Sequence, residues 1–202
     1  KLEARFEHAN EVALFDASEE AQLAACMDVR ADDGLVDALV LLDLVPAAVF
    51  AGQSEGSRLE QWLERGNILL WSGAAPCTEA IAADLTTTPL GASALDLVLD
   101  SGPELASGAG AEDLQPLASR LLPSLTPTTA LHALRLDRLG PQWRVRRAFA
   151  LDPTPASDAL ELVHASGGIY AQFYCLPDAA LPRMEVLREY LELVWTPKTK
   201  HR

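Results

Sequence analysis

Apolar residues in this chain fall either in short unbroken runs or in stripes at helical spacing. Val36-Asp37-Ala38-Leu39-Val40-Leu41-Leu42-Asp43 is nearly unbroken and closes on an acid. A run of that length predicts a strand covered on both faces, as in a parallel sheet flanked by helices. Val45-Pro46 is expected to end it, because proline supplies no ladder donor. The segment holding Gly52, Ser54, Gly56 and Ser57 reads as loop. Ser57-Arg58-Leu59-Glu60 then has the spacing of a capping box, in which serine and glutamate each bond the other's amide. Leu59, Trp62 and Leu63 share one helical face, and Gly66 stands where a residue just past a helix end belongs. Asn67 to Trp71 is a second buried-strand pattern, closed by Ser72-Gly73-Ala74-Ala75-Pro76. Together these predict a right-handed strand–helix–strand unit with parallel strands.

The flanks are less sharply marked. Glu11 to Phe15 reads as a first parallel strand, and Asp16-Ala17-Ser18-Glu19 as a second capping box with Asp16 as N-cap. The helix it opens is expected to reach about Asp28, burying Leu23, Ala24 and Met27, before Asp32-Asp33-Gly34 breaks it. After Pro76 a helix through Glu79 to Ala83 is expected. Residues 86–127 read as a loosely structured insertion, with a candidate strand at Ala94 to Asp100 and a candidate helix at Glu112 to Leu122. Leu131 to Leu139 reads as strand. Trp143 to Phe149 alternates apolar and basic residues, the mark of a half-exposed strand. Leu160 to His164 and Ile169 to Tyr174, joined by Ser166-Gly167-Gly168, predict a β-hairpin. Leu181 to Trp195 predicts an amphipathic helix with Met184, Leu187, Leu191 and Val194 on one face, stopped by Thr196-Pro197.

The segment "DALVLLDLVP…SRLEQWLERGNILLWSGAAP" resembles the central part of class I glutamine amidotransferase-like domains. The likeness is strongest to their non-amidotransferase relatives, the trehalose-utilisation-type proteins and the modules attached to bacterial envelope proteins. Shared features are an aspartate-led strand, a helix ending in a glycine pair, and a strand running into a sharp turn. Asn67 replaces the second glycine of that pair. The resemblance implies a doubly wound, flavodoxin-like α/β fold with a mostly parallel sheet flanked by helices and an antiparallel C-terminal hairpin. On this reading residues 1–202 form a single α/β domain. It further implies a ligand site at the C-terminal strand ends, near Asp16, Asp43, Ser72, Gly73 and Ala74.

Bulk properties narrow the function. The 202 residues suffice for one domain with a proper core. A formal net charge of −13 argues against a nucleic-acid surface, which needs a basic stripe, and against docking on anionic lipid. No apolar run approaches the ~18–20 residues of a membrane helix. The chain therefore reads as a soluble domain. Its start at Lys1 fits a trimmed part of a larger protein, cytoplasmic or extracytoplasmic. Cys26, Cys77 and Cys175 are too widely spaced for a metal motif or a disulfide framework. Cys26, on a helix face, and Cys175, at a strand end, read as core thiols.

Three chemistries can be weighed against packing. In the resembled amidotransferases a cysteine on a strained turn after a strand is activated by a later His–Glu pair. Here Ser72 takes the nucleophile's place, but bulky Trp71 precedes it, the flanking glycines are missing, and neither His132 nor His164 begins a His-x-Glu pair. The ordinary reading of Ser72 is a turn serine. Cys77, one past Pro76, is expected in the first turn of a helix, a setting that can lower a thiol pKa. Phe15-Asp16-Ala17-Ser18-Glu19-Glu20 resembles the start of the cation site of von Willebrand factor A-like adhesion domains, with Glu20 where a second serine would stand. A helix cap explains the same residues, so no metal is assigned. Phosphate-loop, zinc-protease and dithiol motifs are missing, and no cofactor is implied. The sequence thus favours a non-catalytic module for a small ligand or a protein partner, within a larger envelope-associated protein. The rivals are an acyl or amide hydrolase using Ser72 or Cys77, and a cation-dependent adhesion module at Asp16 and Ser18.

Overall fold

The computed structural model describes residues 13–50, 56–91, 94–99, 110–111, 113–127, 129–130, 133–151, 156–174 and 180–194. The main sheet has five strands: β1 (Ala38–Leu42), β2 (Ile68–Ser72), β3 (Trp143–Ala148), β4 (Leu160–His164) and β5 (Ile169–Phe173). Their spatial order is β1-β2-β5-β4-β3. β2 is parallel to both neighbours, with Ile68 level with Ala38 on one side and with Ile169 on the other. β4 runs antiparallel to β5, and β3 antiparallel to β4. The fold is therefore α/β with an open, mixed sheet, not the mostly parallel one expected. The last two strands are joined in sequence by a tight hairpin, and a hairpin reverses direction.

The strand–helix–strand unit forms as its residues dictate. All five residues of β2 are buried. Between β1 and β2 lies a helix at Arg58–Glu64. Ser57 Oγ accepts the Glu60 amide at 3.1 Å, and the Glu60 carboxylate accepts the amides of Ser57, at 3.2 Å, and Gly56. Gly66 takes the left-handed conformation past the helix end (φ 84°). Asn67 does not; its carboxamide oxygen accepts the Asp37 amide at 3.1 Å, tying the start of β2 to the chain entering β1. Trp62 Nε1 donates to the Ile68 carbonyl at 2.8 Å, fixing helix to strand.

Six helices are described: α1 (Glu20–Arg30), α2 (Ala47–Phe50), α3 (Arg58–Glu64), α4 (Ala94–Leu99), α5 (Pro116–Leu121) and α6 (Arg183–Val194). Period-two alternation along β2 divides the core in two. Leu69 and Trp71 pack with Leu23 and Met27 of α1, Leu59 and Leu63 of α3, and Leu95 of α4. Leu70 points the other way, with Ala171, Phe173, Ala118 of α5, and Leu187 and Tyr190 of α6. Of the face expected on α6, Leu187 and Leu191 are buried, Met184 and Val194 only partly, and Val186 and Tyr190 complete it. Trp195, Thr196 and Pro197 lie outside the described residues. α1 buries Leu23, Ala24 and Met27 as expected, while Cys26 is half-buried. Among the described residues no helix is long and apolar enough to cross a membrane.

Several local expectations are corrected. Glu79–Ile81 is a strand, not a helix; it pairs antiparallel with Thr87–Pro89 and parallel with Val45–Pro46. The β-branched threonines favour that pairing. The Asp84 carboxylate shapes the turn by accepting the Thr86 amide and hydroxyl. Val45-Pro46 thus joins a second sheet, and residues 47–50 form α2. Ala94–Leu99 is helical because Ala94, Leu95, Val98 and Leu99 bury one face at helical spacing. Of the helix expected over Glu112 to Leu122, Glu112 lies outside the described residues, Asp113–Leu114 pairs with Ala150–Leu151, and α5 covers Pro116–Leu121. Within Leu131 to Leu139, Leu134–Arg135 pairs with Ala156–Ser157 and a 3₁₀ turn follows at Leu136–Arg138; Leu131 and His132 lie outside the described residues. Ala13 to Asp16 form no strand, and Glu11 and Val12 lie outside the described residues.

The β4–β5 turn packs directly on α3. A Cβ at Gly168 would lie 1.9 Å from the Leu63 carbonyl oxygen, whereas one at Gly34 would meet nothing within 4 Å. Gly34 carries only the penalty of its left-handed backbone (φ 86°). Gly168→Ala is therefore expected to cost about 2–3 kcal/mol, since backbone must move, and Gly34→Ala about 1 kcal/mol. Urea unfolding of the two variants gives the order directly.

Candidate functional site

The register of β1, β2 and β5 sets Leu42, Ser72 and Phe173 level with one another. The next residue of each strand has positive φ: Asp43 at 66°, Gly73 at 121° and Tyr174 at 56°. The Asp43 amide donates to the Ser72 carbonyl, and the Gly73 amide to the Tyr174 carbonyl, both at 3.0 Å. Three adjacent strands thus end on one rung, each by a sharp left-handed turn. A left-handed residue other than glycine costs roughly 1–2 kcal/mol, least for aspartate. Tyr174 is held there by burial and by its hydroxyl, which accepts the Thr126 amide at 2.7 Å.

Side chains lock the row. Asp43 Oδ1 accepts the Ala74 amide at 3.1 Å and pairs with Arg183 Nη1 at 3.2 Å, reaching across to the start of α6. Trp71 Nε1 donates to the Ala74 carbonyl at 2.7 Å. Gly73 is required at its position, because a Cβ there would lie 2.0 Å from Asp43 Oδ1. The Asp43 side chain stays about half exposed (48%) while Arg183 is 15% exposed, so the site presents an acid backed by a sheltered guanidinium.

The nucleophile candidates sit differently. Ser72 is fully buried, and its Oγ has no hydrogen-bond partner among the described residues. The described histidine, His164, lies at the opposite end of the sheet, level with the start of β2. Four residues of strand separate that level from Ser72, roughly 13 Å. His164 Nδ1 is held by the Ser166 hydroxyl at 2.8 Å and its ring packs on Trp143, so it serves the hairpin turn. His132 and Cys175 lie outside the described residues. Cys77 is in no helix, contrary to expectation; it lies within a turn, with φ 57°. It is buried, and burial pushes its thiol up to about 12. Deprotonation to a nucleophilic thiolate is thereby opposed.

Asp16 heads the capping box that was expected. Its Oδ1 accepts the Ser18 hydroxyl at 2.6 Å and the Ser18 amide at 2.8 Å, which hold its carboxyl below the usual range. Those are local bonds within the cap, and none joins Asp16 to the row at Asp43. Glu20 tethers other elements: it accepts the Ala48 amide through Oε2 and the Ala83 amide through Oε1, each at 2.8 Å. Among the described residues no group of three or more His, Cys, Asp and Glu could hold a metal.

The structure therefore brings Asp43, Ser72, Gly73 and Ala74 together and adds Tyr174 and Arg183, which the sequence reading did not include. Arg183 is 140 residues from Asp43, and only its place just after Pro182, at a helix start, hinted at an ordered position. No family model matches the chain, and no curated protein matches it either.

Two outcomes follow from this geometry. Asp43→Asn keeps the Oδ1 acceptor and the tolerance for positive φ, so its stability should stay within about 1 kcal/mol of the parent. Asp43→Ala loses both and should cost about 2 kcal/mol, measured by urea unfolding. The second concerns pH. The Cys77 thiol ionises near its ordinary value of 9.0 when unfolded and near 12 when folded, so its contribution is present below pH 9 and is lost as pH rises. The parent should lose about 1.4 kcal/mol more than Cys77→Ala between about pH 8 and 10. Parallel pH profiles would contradict this.

Proposed function

We propose that this chain is a non-catalytic binding or assembly module on a doubly wound, glutamine amidotransferase-like plan. Its ligand or partner sits at the C-terminal ends of β1, β2 and β5. One observation carries the reading: three adjacent strands end in left-handed residues on one rung, around the half-exposed Asp43 carboxylate. Backbone strain of this kind persists where surrounding bonds hold it, and it gathers at ligand sites. Open α/β sheets bind their ligands at this end of the strands. The strand–helix–strand unit and the helices packed on both faces support the plan, while the antiparallel β4 and β3 extend it at one edge.

The unpartnered Ser72 hydroxyl favours a second reading, an acyl or amide hydrolase. A serine nucleophile needs a base within hydrogen-bond reach and an open approach for substrate. Ser72 is closed off, and Cys77 is held protonated by burial. Treatment of the folded protein with a fluorophosphonate and with iodoacetamide, read by intact mass and peptide mapping, separates the readings. The binding-module reading expects no modification of Ser72 or Cys77. Stoichiometric modification of either would replace it with the hydrolase.

A further inference from the structure

β3 forms one edge of the main sheet, and no strand pairs with its outer side among the described residues. Its exposed residues are Arg144, Val145, at 38%, and Arg146. Three arginines in six residues are conspicuous in a chain of net charge −13. A bulge between Val145 and Arg147 breaks the alternation of β3 and brings two neighbouring arginines to one carboxylate. Arg146 Nη1 lies 2.7 Å from Glu161 Oε1, and Arg147 Nη1 lies 2.8 Å from Oε2. Glu161 is fully buried and balances one of these charges. Arg144 makes no ion pair among the described residues, so three guanidinium groups against one carboxylate leave an excess of two positive charges on this edge.

The backbone of the edge is also open at a definable place. The Ala165 amide donates to the Gln142 carbonyl, which makes Gln142–Ala165 and then Arg144–Val163 the hydrogen-bonded pairs of the β3–β4 ladder. Trp143 and Val145 therefore direct their amides and carbonyls outward. The Trp143 amide is taken by the Gly140 carbonyl at 3.0 Å, which leaves Val145 as the outward donor. Charged residues and bulges on an edge strand discourage pairing with an identical edge. A second copy of β3 would set arginine against arginine, a destabilising cross-strand arrangement. The same charges attract an acidic strand.

We propose that the outer edge of β3 docks an extended acidic segment of another protein. That segment adds as a sixth strand through the Val145 backbone, with Arg144 and Arg146 meeting its carboxylates. This surface is distinct from the Asp43 row, and its test does not depend on that site. The experiment measures fluorescence anisotropy of a labelled eight-residue peptide of alternating glutamate and valine. Controls are the lysine–valine counterpart and a version N-methylated at alternate backbone amides. The proposal expects saturable binding of the acidic peptide in the micromolar range. Arg144→Glu should weaken it at least about tenfold, as should raising salt from about 50 to about 300 mM. The lysine and N-methylated peptides should not bind. Arg144 is exposed and makes no ion pair among the described residues, so an unchanged Tm for R144E confirms that the variant folds. Failure of the acidic peptide to saturate by about 1 mM, or equal binding by R144E or by the N-methylated peptide, overturns the proposal. Concentration-dependent dimerisation of the parent, abolished by R144E, would assign the edge to a second copy and overturn it equally.

Discussion

Everything in this structure answers to β2, five consecutive residues with no exposed face and a parallel neighbour on either side. A strand so enclosed must have its ladder completed at both edges and its side chains covered from above and below. Leu69 and Trp71 demand the layer that holds α1, α3 and α4, and Leu70 demands the layer that holds α5 and α6. Parallel pairing with β1 requires a crossover, and α3 supplies it. Trp62 then joins that helix to the strand by a hydrogen bond to the Ile68 carbonyl. The β4–β5 turn is drawn to the same place, with Gly168 against the end of α3 and the Ser166 hydroxyl donating to the Leu63 carbonyl at 3.2 Å.

The candidate site follows from this enclosure. Strands in step end together, and chain leaving the buried Ser72 and Phe173 has little room to turn. Left-handed backbone at Asp43, Gly73 and Tyr174 resolves the crowding. The carboxylate of Asp43 then takes the Ala74 amide and Arg183, so the turn after β2, the end of β1 and the start of α6 become one unit. The row is tied by hydrogen bonds and an ion pair and carries a half-exposed carboxylate at its rim. It also encloses Ser72 from the solvent that a hydrolytic nucleophile would need. The proposed ligand site and the enclosure of Ser72 thus have a common structural origin.

The parts legible in the sequence were those with local causes. Ser57 with Glu60, Asp16 with Glu19, and Gly66 are short-range devices, and all three act as their spacing implied. The two apolar runs announced β1 and β2, but only β2 is enclosed on both faces; β1 alternates half-buried and buried residues and exposes Leu42. Where distant partners decide, local pattern misleads. Glu79–Ile81 looked helical until Thr87–Pro89 paired with it, and Val45–Pro46 joined a second sheet through that same hairpin. Asp43 could be placed near the site from the resemblance, but its pairing with Arg183 spans 140 residues and has no sequence signal. The alternating pattern of Trp143 to Phe149 gave the strand but not the bulge, so the convergence of Arg146 and Arg147 on Glu161 was hidden.

The most direct measurement is the pattern of cross-strand nuclear Overhauser effects around Leu70 in isotopically labelled protein. The account predicts contacts from Leu70 to Val40 on one side and to Ala171 on the other, each in a parallel register that carries on to Ser72 with Leu42 and Phe173. Contacts running antiparallel, or a Leu70 with strand neighbours on one side alone, would contradict it and dissolve the row at Asp43, Gly73 and Tyr174.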